Sequence, residues 1–136
     1  MSYLVDANVL SEATRPHPDP KVLAWLDRHD ASLYVSTLTL AEIVKGIHLL
    51  APGRKRRALE MWFEELVASF AGRTVPFDIG TSLTWGAFYA KHERAGRCLS
   101  SFDSLIAATA LAHGHTLATR NVADFPDDVD VVNPWG

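Results

Sequence analysis

The chain has 136 residues, 13 Lys and Arg against 16 Asp and Glu for a formal net charge of −3, and 48% hydrophobic residues. A single domain of this size buries roughly 65–70% of the surface its unfolded form exposes, enough for a core without staples. The one cysteine, Cys98, excludes an intramolecular disulfide, a Cys-rich zinc site and a C-x-x-C redox pair, and points to a reducing compartment.

Met1 to Asp6 has neither the basic n-region nor the apolar stretch of a secretory signal, so the expectation is a cytoplasmic protein. Tyr3–Val5 reads as a first strand and residues 9–13 as a helix. Pro16, Pro18 and Pro20 separate that helix from a second at 22–28. Leu33–Ser36 is the second strand, followed by a helical pair at 40–50 and 54–70 and a third strand at 74–77. Helices at 82–94 and 102–113 end at Gly96 and Gly114, where a residue with positive φ stops a helix. Strands at 116–119 and 130–132 complete the chain. Brief apolar strands alternating with helices predict a parallel sheet of about five strands inside a three-layer α/β/α sandwich, one domain over residues 1–136. The longest apolar run, 105–112 interrupted by Thr109, is far short of the ~20 residues a membrane span needs.

Four carboxylates stand at element ends, and each has an ordinary structural role available. Asp6 suits a helix N-cap. Thr39, Leu40, Ala41 and Glu42 read as a capping box. Asp103, with Ser100 or Ser101 as cap, complements a helix dipole. Asp124 and Asn121 suit a turn. Position changes the weighting: Asp6 and Asp124 follow strands, and Glu42 and Asp103 open helices at the same sheet edge. Open α/β sheets bind ligands at that edge. Converging carboxylates repel one another and raise their pKa values unless a cation neutralises them. Mg²⁺, which uses one or two carboxylates, waters and substrate phosphate oxygens, answers that need.

Other chemistries find little support. The chain has no phosphate-binding glycine loop, dinucleotide fingerprint or nucleophile elbow. His113 and His115 lack further soft ligands, and Cys98 lacks a catalytic partner signature. A slightly acidic chain needs a local basic patch to hold nucleic acid, and Arg54, Lys55, Arg56 and Arg57, with Lys45 and Arg120, are the candidates. Leu59, Trp62, Phe63, Leu66 and Phe70 form an apolar stripe on the same helix. Most of it belongs to the core and part faces a second subunit in a homodimer. Trp135 anchors the chain end.

The motifs Val-Asp-Ala-Asn-Val-Leu-Ser-Glu at 5–12, Ala-Glu-Ile-Val-Lys-Gly at 41–46, Asp-Ser-Leu-Ile-Ala-Ala-Thr-Ala at 103–110 and Leu-Ala-Thr-Arg-Asn-Val-Ala-Asp-Phe at 117–125 resemble those of PIN-domain ribonucleases, specifically VapC toxins of the FitB-like branch. The likeness extends to Phe-Ala-Gly-Arg-Thr-Val-Pro-Phe-Asp at 70–78 and the closing Asn-Pro-Trp. It implies a Mg²⁺- or Mn²⁺-dependent endoribonuclease, the toxin of a type II toxin–antitoxin system, acting as a dimer and inhibited by a cognate VapB/FitA-like antitoxin. The implied acidic site is Asp6, Glu42, Asp103 and Asp124, with Asn8, Thr119 and Asn121 in support. Ala7 stands where relatives carry Thr or Ser, a gap Asn8 could fill. Some relatives place the last acid at the position of Asn121, but asparagine contributes no charge, which favours Asp124.

The mechanism expected is metal-assisted hydrolysis. Asp6, Asp103 and Asp124 hold one or two ions, and Glu42 orients a water or serves as base. Two rival readings stand beside it. One is a PIN-fold binding module, catalytically weakened by Ala7, whose acidic groove holds a partner peptide. The other is a DNA-directed nuclease, disfavoured because no insertion for clamping DNA is visible.

Overall fold

Leu4 and Val5 have no exposed surface, yet they enter different cores, because successive residues of a strand point to opposite faces. That alternation places β1 (Tyr3–Val5) at the middle of a layered molecule. In a computed structural model covering Met1–Gly136, β1 is joined by β2 (Leu33–Ser36), β3 (Thr74–Val75), β4 (Thr116–Ala118) and β5 (Val131–Val132). The order across the sheet is β3-β2-β1-β4-β5, and every pair is parallel.

The helices are α1 (Ala7–Ser11), α2 (Pro20–Arg28), α3 (Thr37–His48), α4 (Arg54–Ser69), α5 (Ile79–Arg94) and α6 (Ser101–His113). Val5, Val35 and Ala118 share one core with Val9 of α1, Val22 and Trp25 of α2 and Ile43 and Ile47 of α3. Leu4, Val75 and Leu117 share the other with Phe88 of α5 and Ile106, Ala107 and Ala110 of α6. The three-layer α/β/α expectation therefore holds. No helix is long and apolar enough to cross a membrane.

Several boundaries move for identifiable reasons. The strand expected at 74–77 stops at Val75, since Pro76 has no N–H to continue the ladder. The third helix starts three residues earlier than expected, because the Ser36 hydroxyl accepts from the Leu38 amide at 3.0 Å and takes the N-cap. The capping box expected at 39–42 is therefore not formed. Thr39 is fully buried with its Oγ1 unpaired, and Glu42 lies in the second turn with its carboxylate free of capping duty. The stripe on α4 packs half-buried against the first core through Leu59, Trp62, Phe63 and Leu66, and leaves Met61 and Val67 exposed.

Gly96 and Gly114 end α5 and α6 with φ of 76° and 69°, as their positions imply. A Cβ at Gly114 would meet no atom within 4 Å, so any penalty there is conformational. Gly114→Ala is expected to lower stability by about 1–2 kcal/mol, read as a shift in denaturant midpoint without a change in slope.

A polar clasp ties α5 to the segment after β4. His92 is buried; its Nε2 lies 3.1 Å from Asp128 Oδ1 and its Nδ1 lies 2.9 Å from Arg97 Nη1. Burial resists ionisation of Asp128, but hydrogen bonds from Lys91 and His92 outweigh it and hold that carboxyl below its ordinary range. The turn before α6 is thereby held against the loop that carries Asp124.

Candidate active site

β1 and β4 are paired in register, Val5 opposite Ala118, so the residues that follow each strand emerge side by side. Those residues are Asp6 and Thr119. The chain runs outward from β1 to β2 and β3, then returns to β4 on the other side, which makes this edge the point where the strand order reverses and open sheets bind ligands.

Asp6 is 8% exposed and caps α1. Its Oδ1 accepts from the Ala7 amide at 2.8 Å, and its Oδ2 accepts from the Thr119 hydroxyl at 2.8 Å. Thr119 Oγ1 in turn accepts from the Asn121 amide at 3.1 Å and from the Asn8 side chain at 3.4 Å. The circuit closes where the Arg120 amide donates to Asn8 Oδ1 at 3.2 Å. Asp6 is thus held by backbone and hydroxyl donors from two strand ends, and its rotamer is set before any ligand arrives. Ala7 contributes through its backbone amide alone.

Burial pushes the Asp6 carboxyl above its usual range, the Thr119 and Ala7 hydrogen bonds oppose that, and the charge of Asp103 adds to it. Glu42 is half-buried on α3. Its carboxyl is raised first by burial and then by the charges of Asp6 and Asp103, against a lowering by Lys45 one turn along the helix. Asp103 sits in the first turn of α6, where Ser100 Oγ accepts from its amide at 3.2 Å. Three of the four expected carboxylates therefore act electrostatically on one another.

Asp124 stands apart. It is exposed on a 3₁₀ turn, Val122–Asp124, and is not among the charges that raise Asp6 or Glu42. With Asp103 it lines a cleft of about 760 Å³, which Arg97, Cys98, Ser100 and Asp127 also line. Arg97 and Asp127 were not distinguishable in the sequence from ordinary surface charges. Asn121 joins the site through its backbone amide.

No group of three His, Cys, Asp or Glu side chains closes into a metal cage by itself. The donors at the sheet edge are nevertheless all hard carboxylate oxygens, and the His113–His115 pair lies at the opposite, amino end of β4. Spaced carboxylates with raised pKa values fit an ion such as Mg²⁺, which retains several waters and draws further ligands from substrate.

The candidate cations divide. Lys45 is exposed beside Glu42, and Lys55 lines a second cleft with Glu42 and Asn8. Arg54 is exposed where α4 begins. Arg56 instead reaches back to His48 and to the Leu50 carbonyl. Arg120 lays its guanidinium over Trp135 at 4.9 Å, which anchors the chain end as expected for that tryptophan.

The PIN domain family model matches residues 3–127. A VapC ribonuclease, Y4jK of Sinorhizobium fredii, is 36% identical over 97% of this chain and 96% of its own. Toxin FitB of Neisseria gonorrhoeae is 38% identical over 97% of each chain. A structure of FitAB bound to an IR36 DNA fragment superposes with a TM-score of 0.92 at 38% identity, covering 98% of this chain and 96% of that one. The chain belongs to the PIN domain family, with VapC ribonucleases and FitB among its relatives.

Proposed function

We propose that this chain is the toxin of a toxin–antitoxin pair, an endoribonuclease that hydrolyses RNA phosphodiester bonds and is neutralised by a VapB/FitA-like antitoxin. The names of its relatives support the activity and the pairing. The observation that carries the chemistry is the mutual charge of Asp6, Glu42 and Asp103 at the switch point of the sheet. In this reading the whole chain works as one domain in the cytoplasm, and the open apolar surface of Met61 and Val67 on α4 serves a homodimer.

Asp6 and Asp103 would hold Mg²⁺ or Mn²⁺, with Asp124, which lines the same cleft as Asp103, as an additional ligand. Such an ion, when bound, supplies Lewis-acid stabilisation of the phosphate and makes water a better nucleophile. Glu42, its pKa raised by burial and by two neighbouring carboxylates, is suited to take the proton of the attacking water. Lys45, Arg54 and Lys55 offset the acidic site and hold the RNA backbone, while Arg120 is engaged over Trp135. The binding-module reading is not favoured. It rested on Ala7, and relatives that match nearly the whole chain are named as a ribonuclease and a toxin.

The direct test is cleavage of total cellular RNA by antitoxin-free protein, with Mn²⁺ or with EDTA. Discrete fragments that require the metal are expected, and intact RNA under both conditions from a folded, metal-binding protein would refute the activity. A narrower test addresses Thr119. Removing its hydroxyl in Thr119→Val should weaken Mn²⁺ binding about 10–100-fold, the usual cost of losing the partner that orients a ligand, while Thr119→Ser restores it. Equal Mn²⁺ titrations for wild type and Thr119→Val would exclude that role.

A further inference from the structure

The cleft lined by Asp103 and Asp124 has one cation in its walls, Arg97, among three carboxylates, Asp127 being the third. A flexible guanidinium in such company ordinarily folds onto an acid, yet Arg97 takes part in none of the chain's ion pairs. The end of α5 explains why. There the Gly96 amide donates to the Glu93 carbonyl at 3.0 Å and the Arg97 amide to the His92 carbonyl at 2.9 Å, a Schellman turn that needs the positive φ of Gly96. The Arg97 side chain returns to the same residue, and its Nη1 donates to His92 Nδ1 at 2.9 Å, its one side-chain hydrogen bond within the chain. A guanidinium can only donate, so Nδ1 accepts, and Nε2 carries the proton that it donates to Asp128 at 3.1 Å. His92 is buried, and Lys91 holds Asp128 from the other side at 3.0 Å. Arg97 is thus pinned through one nitrogen to a fixed ring, and its remaining donors stay free at an exposed residue of the cleft wall.

We propose that Arg97 holds a backbone phosphate of the RNA at the cleft of Asp103 and Asp124, and that His92 is a positioning residue that keeps the guanidinium there. The inference rests on the ribonuclease reading and adds to it a substrate contact on the opposite side of the site from the other cations. Lys45, Arg54 and Lys55 belong to α3 and α4, on the side of Glu42, whereas Arg97 stands just before α6, on the side of Asp103. A strand that crosses the carboxylates is then gripped from both sides. Phosphate suits the donor, because the planar fork of arginine can meet two oxygens of one phosphate at once. The pinning by His92 matters for the same reason. An arginine collapsed onto Asp103 would neutralise a carboxylate that the metal ion needs, and RNA would have to pull it away. Held by His92, the guanidinium leaves Asp103 free, and its ordering is completed in folding instead of in binding.

Arg97 is exposed, so Arg97→Gln tests the contact without disturbing the core. The probe is a fluorescent single-stranded RNA carrying one of the sites that wild type cuts in total cellular RNA, assayed with Mn²⁺ over a range of salt. Arg97→Gln should lose about 10–100-fold in kcat/KM, the scale of one hydrogen-bonded charge contact, and Arg97→Lys should recover part of it. The slope of log(kcat/KM) against log salt should flatten by about 0.7, the share of one phosphate on a single strand, while the Mn²⁺-induced rise in melting temperature stays as in wild type. His92→Phe keeps a ring beside Phe88 but offers Arg97 no acceptor. It should reproduce the loss and the flatter slope, and add nothing further in the Arg97→Gln background. His92→Gln, whose carbonyl can accept from Arg97 while its amide donates to Asp128, should restore most of the rate. Unchanged kcat/KM and slope in Arg97→Gln, with wild type active, overturns the phosphate contact alone. A loss that leaves the salt slope unchanged, or that abolishes the Mn²⁺-induced stabilisation, also overturns it, since Arg97 then acts through the fold or the ion. Additive losses in Arg97→Gln and His92→Phe overturn the positioning role. A wild type that binds Mn²⁺ but cuts no cellular RNA sinks the ribonuclease reading and this contact with it.

Discussion

Asp6→Asn is expected to reduce RNA cleavage by roughly 10²–10³-fold or more, the scale of losing one electrostatic element of a reaction centre, and to raise the melting temperature of the metal-free protein. The two effects share one cause. Folding raises the Asp6 carboxyl above its unfolded value, chiefly by burial and also through Asp103. A carboxyl so raised favours the fold below its unfolded pKa and loses that contribution as pH rises through its folded pKa. Near pH 7 the wild type therefore carries a buried charge that the fold resists, and the amide does not. Asparagine still caps α1 through its carbonyl oxygen, while its amide must displace the long Asn8 contact to reach Thr119 Oγ1, a rearrangement that offsets part of the relief. In a chain of this size each kcal/mol of relief moves the melting temperature by roughly 4 °C. Full cleavage by Asp6→Asn would remove it from the site, and a lower melting temperature would show that its negative charge is structurally required.

The second large effect concerns the metal and pH together. Mn²⁺ added to EDTA-stripped protein should raise the melting temperature near pH 7, by about 2–3 kcal/mol of stability when the ion is at a hundredfold excess over its Kd. That gain should shrink as pH is lowered toward about 5. Protons compete with the ion for Asp6, and protonation of Glu42 removes a neighbouring negative charge that favours the ion; both carboxyls bind protons more readily in the fold than in the unfolded chain. Without metal, the same two groups make a contribution of opposite sense, stabilising as pH falls through their folded range and destabilising as it rises. Comparing wild type with Asp6→Asn and Glu42→Gln isolates this pair from other titrating groups, such as Asp128, whose lowered carboxyl loses stability on acidification. A Mn²⁺ effect that is constant between pH 5 and pH 7 would show that Asp6 does not hold the ion.

How much of this was legible in the sequence depends on the range of the interaction concerned. The five strands, the six helices and the glycines that end two of them follow from local patterns of apolar residues, prolines and caps, which act over a few positions. The capping box was the local inference that failed. Ser36 and Thr39 are both competent caps, and the choice fell to Ser36 because Val35 and Ser36 close the buried strand β2, so the helix begins where the strand ends. That choice moved Glu42 from a capping duty to the site.

The sequence by itself determined the order and type of the elements, the layered α/β/α class, and the family, because motifs and periodicities are written in adjacent residues. It also placed each carboxylate at an element end. Only the tertiary structure decided which partners those carboxylates meet. Asp6 and Thr119 are 113 positions apart, and only the β1–β4 register brings them to 2.8 Å. The same register sets Asn8 against Arg120 and carries Arg120 to Trp135. The exposure of Asp124 and the apolar cleft beside Glu42 likewise depend on how α3, α4 and the loop after β4 pack. Contacts of this kind arise from strand pairing across the whole chain, and no single stretch of sequence encodes them.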